Sequence, residues 1–313
     1  MEILEVSPKE YAEVLKSTYH VFGSAAFNDL NKNKCDEVFY LLFKEVKFRL
    51  GIIGGIREMV FYSPFSAPFG GYSFIADDVR LQYIEEAINL LKNWAKEKSL
   101  STISITLPPS VYGSSFIAKQ LNCLWREGFN ISEINLNYSF DLDSFDDNYS
   151  QLIWYNARKN LKISMNSGFN FLRCTSDEEK EIAYQVIQKN REGRGFPLRM
   201  TWLQVKDTIK IVPSDFFLVY NYQNIPVASA IVFHLNEEVV QVIYWGDLQG
   251  YSDLKPMNFL SYKVFEHYKN SGKKVVDIGP STEHSIPNYG LCEFKEGIGC
   301  KIDPKYTLIC KLN

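Results

Sequence analysis

Two five-residue stretches, Trp125-Arg126-Glu127-Gly128-Phe129 and Phe294-Lys295-Glu296-Gly297-Ile298, share one pattern: aromatic, basic, Glu, Gly, apolar. Around each, the expected elements fall in the same order, namely a strand, one or two helices, three strands, a helix, a strand, a helix and a last strand. Similarity at so long a period speaks for a duplicated domain rather than a stacked repeat. The 313 residues suffice for two domains of roughly 100–200 residues each. Their expected bounds are 1–149 and 150–313, the second opening on a linking helix at about 150–168. The fold class is α/β (α+β), two tandem copies of one unit, each a mixed, mostly antiparallel sheet flanked by helices.

Local signals set the elements. Ser7, Pro8 and Glu10 make a capping-box start, and Ser176 with Glu179 makes a second. Leu81, Ile84, Ile88, Leu91 and Trp94 recur at helical spacing over 79–98, as do Phe259, Leu260, Val264 and Phe265 over 254–271. Apolar, β-rich stretches at 37–44, 46–53 and 56–62 are punctuated by Gly51, Gly54 and Gly55. Three more strands are expected near 215–222, 225–234 and 239–246, and others at 102–107, 131–142 and 273–279. The polar, acidic stretch Asp141 to Ser150 reads as a linker. Gly128 and Gly297 read as left-handed helix C-caps.

Composition excludes several classes. Lys plus Arg is 34 against 37 for Asp plus Glu, so the chain has no broad basic face with which to wrap DNA. Its apolar runs are too short to cross a bilayer, and its start lacks a secretory pattern, so a cytoplasmic protein without a transmembrane segment is expected. Six cysteines without a Cys-x-x-Cys pair read as buried thiols. Four histidines, none four residues from another, give a metal site little to work with, and no metal is expected.

Candidate chemistry sits at a few positions. Arg158, Lys159 and Lys162 lie on one helix without an acid, either a solvated face or an anion contact at the junction of the two copies. Asp247 and Asp277 end strands, and His234 and His284 lie in or beside elements that can flank a cleft; each also has a structural reading as a turn, cap or strand-end residue. Tyr244 binds substrate through its hydroxyl or packs in the core, and Asn288 is a substrate contact or a helix N-cap. Gly70-Gly71 is a turn or a place where a ligand nears the backbone.

The ordered set formed by Ala157–Phe169, Asp215–His234, Val242–Asp247, Met257–Gly272, Val275–Ser281 and Phe294–Gly299 resembles the GNAT fold in the tandem arrangement of the FemAB-like acyltransferases, including their CelD/BcsL-type relatives. The resemblance covers residues 150–313 and more faintly 1–149. It implies transfer of an acyl or aminoacyl group to an amine of a cell-envelope or polysaccharide precursor. Lys295 matches the lysine of the family's Phe-Lys element, which implies stabilisation of acyl or phosphate charge; Asp247, at its strand end, is the other catalytic candidate. Arg158, Lys159, His234, Tyr244, His284 and Asn288 are the substrate-binding candidates, and Gly70 and Gly71 the cofactor-binding ones. No cofactor is required; the donor substrate is acyl-CoA or an aminoacyl-tRNA, and the acceptor a small-molecule or lipid-linked amine.

Two departures shape the alternatives. The Gly-rich turn that cradles the CoA pyrophosphate in many GNAT enzymes is missing from both halves. Trp125 and Phe294 stand where many of those enzymes carry a proton-giving tyrosine. The competing readings are therefore a catalytically degenerate tandem fold that binds a nucleotide sugar, peptide or protein, and an acyl-CoA-dependent N-acetyltransferase with an unorthodox loop.

Overall fold

Both capping boxes form. Ser7 and Ser176 each accept the amide three residues on, while Glu10 and Glu179 bond back to the cap amides. The computed structural model describes residues 1–16, 18–76, 79–196 and 198–312. By internal contact the chain divides into unit 1 (Met1–Leu136, His284–Ile286, Asp303–Asn313) and unit 2 (Asn137–Glu283, Pro287–Ile302).

Unit 1 is built from β1 (Glu2–Val6), α1 (Pro8–Val14), α2 (Ala25–Leu30), β2 (Glu37–Lys44), β3 (Phe48–Arg57), β4 (Val60–Ser63), β5 (Tyr72–Phe74), α3 (Leu81–Glu97), β6 (Thr102–Thr106) and α4 (Ser114–Arg126), followed by the first half of β7 (Asn130–Asp141). Its strands run in the order β1-β2-β3-β4-β6, with β5 also on β3. Alternation sorts β2 onto two faces: Phe39, Leu41 and Phe43 join Ile84, Ile88, Leu91 and Trp94 of α3, while Tyr40 and Leu42 join Tyr11 and Leu15. Each fully buried Ile or Leu of α3 contributes about 2 kcal/mol.

Unit 2 takes the rest of β7, then α5 (Tyr149–Leu152), α6 (Tyr155–Met165), β8 (Asn170–Arg173), α7 (Asp177–Gly193), α8 (Trp202–Ile209), β9 (Ser214–Tyr220), β10 (Pro226–His234), β11 (Val239–Asp247), α9 (Pro256–Asn270), β12 (Val275–Pro280), the short β13 (Thr282–Glu283) and β14 (Ile286–Pro287), α10 (Tyr289–Gly297) and the start of β15 (Lys301–Lys311). Its order is β7-β12-β11-β10-β9-β8. Phe216 to Val219 are all fully buried, so both faces of β9 are covered; α7 and α9 both pack on β10 and β11. Among the described residues no helix is long and apolar enough to cross a membrane.

Three expectations need correction. First, the division falls inside β7, and the last strands are exchanged: Thr307–Lys311 of β15 pairs with β6 in unit 1, while Asn137–Asp141 of β7 pairs with β12 in unit 2. The acidic stretch Asp141 to Ser150 is no free linker, because Phe145 and Tyr149 anchor it among Phe140, Tyr262 and Phe265. Second, Gly54 and Gly55 lie inside β3, where a side chain would run into Phe61 at the first and into Cys35 and Phe65 at the second. The turn falls instead at Glu58 and Met59, both in the left-handed region at φ 50° and 61°. Third, Gly128 has the expected left-handed conformation, but at the end of α10 that role passes to Gly299. Gly297 is helical, and a Cβ there would meet Ala157 and Trp154 only at ordinary contact distance.

Candidate active site

Unit 2 has a wedge in its sheet. β11 pairs in parallel with β12 only from Val239–Gln241 to Val275–Asp277, although β11 continues to Asp247, held by β10 on its other side. β12 continues to Pro280, held by β7. Beyond Gln241 and Asp277 the two strands part.

Buried polar groups sit where they part. The Asp277 carboxylate is fully buried and accepts from Asn137 Nδ2 (2.8 Å), Gln241 Nε2 (2.7 Å) and the Gly279 amide (2.8 Å). Such a carboxylate is tolerable only because its lone pairs are served. Lys295, 2% exposed, comes in from α10 and donates to the carbonyls of Ile278 (2.9 Å), Gly279 (2.8 Å) and Pro280 (3.1 Å), with the Tyr138 ring 5.2 Å away. All three of its protons are used. Burial pulls its pKa down to about 8. Gln241 Oε1 and Ser281 Oγ are buried without a hydrogen-bond partner.

A second feature lies over the free half of β11. At Gly246 the helix α7 crosses so closely that a Cβ would come within 2.6 Å of the Asn190 side chain, and Asn190 donates to the Asp247 carbonyl at 2.6 Å. This contact brings the C-terminal turn of α7, with Arg191 and Arg194, onto the end of β11. Arg194 approaches the Asp247 carboxylate at 3.6 Å. Burial raises the Asp247 carboxyl, against the pull of Arg194. Burial also raises the Tyr244 hydroxyl, with Arg191 and Arg199 opposing it. Arg191 is itself half-buried, and its Nε has no partner; Arg199 pairs with Glu283 at 3.2 Å. Part of this charge complements the negative helix C-terminus. A half-buried guanidinium with an unused donor is also what holds a phosphate or carboxylate.

The structure therefore places Arg191 near Tyr244 and Arg194 near Asp247 along the free half of β11, the two side chains three residues apart on the strand, with Lys295 in the same unit. It adds Arg191, Arg194 and Arg199, which the sequence reading missed; their crowding within 191–199 was the available signal.

The other candidates lie elsewhere. His234 ends β10, which runs antiparallel to β11, so it sits at the opposite end of the sheet from Asp247. There its Nε2 is 2.7 Å from Asp215, which also accepts from Arg173 (2.8 Å) and Tyr268 (2.9 Å). Burial pushes the Asp215 carboxyl up, but these hydrogen bonds outweigh it and hold it well below the usual range. His284, in unit 1, is exposed and lies 2.8 Å from Glu133. Asn288 caps α10 by accepting the Leu291 amide at 3.1 Å. Arg158 and Lys159 are exposed on α6. Gly70 and Gly71 are in unit 1 with their amides spent: Gly70 donates to the Thr106 carbonyl (2.8 Å) and Gly71 to Ser63 Oγ (3.1 Å), so this turn has no phosphate cradle. At the start of α9 four amides are likewise spent. Pro256 lacks an N–H, and the amides of Leu254, Lys255, Asn258 and Phe259 bond within the chain.

No protein-family model matches the sequence, and comparison with curated proteins finds no relative. Solved structures do match. The chain is similar to FemX, with TM-score 0.72 and 13% identity over 100% of this chain and 98% of that one. It is similar to L-PGS from Bacillus licheniformis, with TM-score 0.63 and 14% identity over 97% and 92%. A tandem GNAT protein from the clavulanic acid biosynthesis pathway gives TM-score 0.51 and 9% identity over 100% and 98%. The fold is the tandem GNAT fold that these structures share.

Proposed function

We propose that this chain is an acyl- or aminoacyltransferase that acts on an amine of an anionic cell-envelope or polysaccharide precursor, and that unit 2 carries the reaction. The observation that carries the reading is the arginine cluster over the free half of β11, next to Tyr244 and Asp247. In it, Arg191 and Arg194 hold a phosphate or carboxylate of the acceptor. Asp247, its carboxyl raised by burial, accepts the proton that the acceptor ammonium must lose before it attacks. The amine then adds to the ester or thioester carbonyl, the tetrahedral oxyanion forms, and its collapse expels the donor oxygen or sulfur, which takes up the second proton shed by the attacking nitrogen. Lys295 acts as a positioning residue: it fixes the 278–280 turn through three carbonyls and adds positive charge near the developing oxyanion. With four of the amides around the start of α9 spent, the reading favours a charged tRNA over acyl-CoA as donor. A cytoplasmic setting and a lipid-linked or small-molecule acceptor belong to the same proposal.

The full commitment of Lys295 to carbonyls favours a second reading, a degenerate fold that binds such a precursor without chemistry. Thermal shifts with acetyl-CoA, longer acyl-CoAs and UDP-sugar peptides separate the readings, because stabilisation grows as the logarithm of ligand over Kd. We expect the UDP-sugar peptides to stabilise the wild type and not the Arg191→Ala/Arg194→Ala variant. Stabilisation by CoA compounds alone would sink the reading. A stabilised protein that transfers nothing from charged tRNA selects the binder.

A further inference from the structure

We infer that the exposed face of α6 is a docking surface for an anionic lipid bilayer. From Asn148 to Ser176 the chain has no Asp or Glu, whereas it carries Arg158, Lys159, Lys162 and Arg173. The first three lie on α6, whose buried face is held by Ala157 and Ser164. At helical spacing the opposite face gathers Tyr155, Arg158, Lys159, Lys162, Ile163 and Met165, all exposed. Tyr155 is 76% exposed, and Trp154, at the N-cap, is 50% exposed. Among the described residues none of the three cations is paired with a carboxylate; Arg158 donates only to the Ile153 carbonyl at 3.4 Å. Of the acids just upstream, Asp141 pairs with Lys301 and Asp143 with Lys269, while Asp146 and Asp147 are exposed before α5, outside the acid-free stretch.

Charge complementarity selects the occupant. A chain of net charge −3 that concentrates unpaired cations on one face offers that face to a negative surface. Lys and Arg mixed with Trp, Tyr and aliphatic side chains is the composition that seats a helix in the headgroup layer, with the rings at the interface. Bases and phosphates of an RNA would use the cations and rings but leave Ile163 and Met165, and the exposed Leu152 before the helix, in water.

The inference goes beyond the proposed function and is read without turnover, so either can fail alone. The full chain is floated with vesicles of phosphatidylcholine and with vesicles of equal parts phosphatidylcholine and phosphatidylglycerol, at low and high salt, and total tRNA is titrated in parallel. We expect binding to the anionic vesicles that weakens with salt. Arg158→Gln/Lys159→Gln/Lys162→Gln should lower the partition coefficient roughly a hundredfold, and Trp154→Ser/Tyr155→Ser should lower it while leaving the circular dichroism spectrum unchanged. No binding to anionic vesicles at low salt, equal binding to both vesicle types, or a triple variant that binds like the wild type overturns the inference. Binding of tRNA alone, lost in the triple variant, overturns it in favour of an RNA surface.

Discussion

Each unit contains one parallel strand pair joined through a long helix, β4 and β6 through α3, β11 and β12 through α9, and the two pairs end differently. In unit 1 all four residues of β4 pair with β6. The chain then fills the space ahead with its own backbone: the Gly70 amide bonds Thr106, the Gly71 amide bonds Ser63, and the Tyr72 amide bonds Gln120. In unit 2, β11 is nine residues long and only its start pairs with β12. One copy has spent its donors on itself, while the other keeps open strand ends lined with polar side chains. The basic residues of the repeated five-residue pattern part in the same way. Arg126 is exposed and pairs with Glu85, whereas Lys295 is buried on three carbonyls. The two copies share a frame and differ in backbone satisfaction, and that difference is why the proposed site falls in unit 2.

That contrast can be broken at several points. Lys295→Ala strips three buried carbonyls of their donor and should cost about 3 kcal/mol, read as a lower urea midpoint at unchanged slope; a loss below that of a surface pair would show that the carbonyls find other partners. The pH dependence is nearly as large. The folded pKa of Lys295 near 8 lies below its ordinary 10.5. Below pH 8 folded and unfolded chains both hold the proton, and the cost of burying the charge is fully present. Between about 8 and 10.5 only the unfolded chain holds it, so stability rises with pH. The stability of the wild type relative to Lys295→Met should therefore increase by about 3 kcal/mol across that window, and a flat difference would mean Lys295 is not desolvated.

Next in size is Gly70→Ala, whose Cβ would stand 2.8 Å from the Pro64 nitrogen; we expect a loss of about 2 kcal/mol from displaced backbone, seen in thermal unfolding. Gly246→Ala, facing the more yielding Asn190 side chain, should cost less in stability while weakening the anion-dependent thermal shift of unit 2. Smallest is Arg126→Ala, the repeat counterpart of Lys295, at under about 1 kcal/mol. Equal losses at Arg126 and Lys295 would erase the contrast between the copies.

Much of this was legible in residue order. Caps and helical stripes are local, so the starts of α1 and α7 and the apolar faces of α3 and α9 follow from spacing alone. Tyr244 and Asp247 were visible as strand-end polar residues, and Lys295 through the repeated pattern. Glycine misled where its reason was tertiary: Gly54 and Gly55 make room for side chains brought in from elsewhere. His234 misled because an antiparallel strand carries its end away from the end of its neighbour.

Sequence alone determined the duplicated order of elements, their caps and their apolar faces, since each depends on residues within a few turns of one another. Tertiary structure decided which half receives β15 and which receives β7, and that Arg194 meets Asp247 at the end of β11. It also decided that Lys295 serves carbonyls. Those outcomes depend on which distant groups satisfy buried donors and acceptors, and spacing along a chain does not encode that.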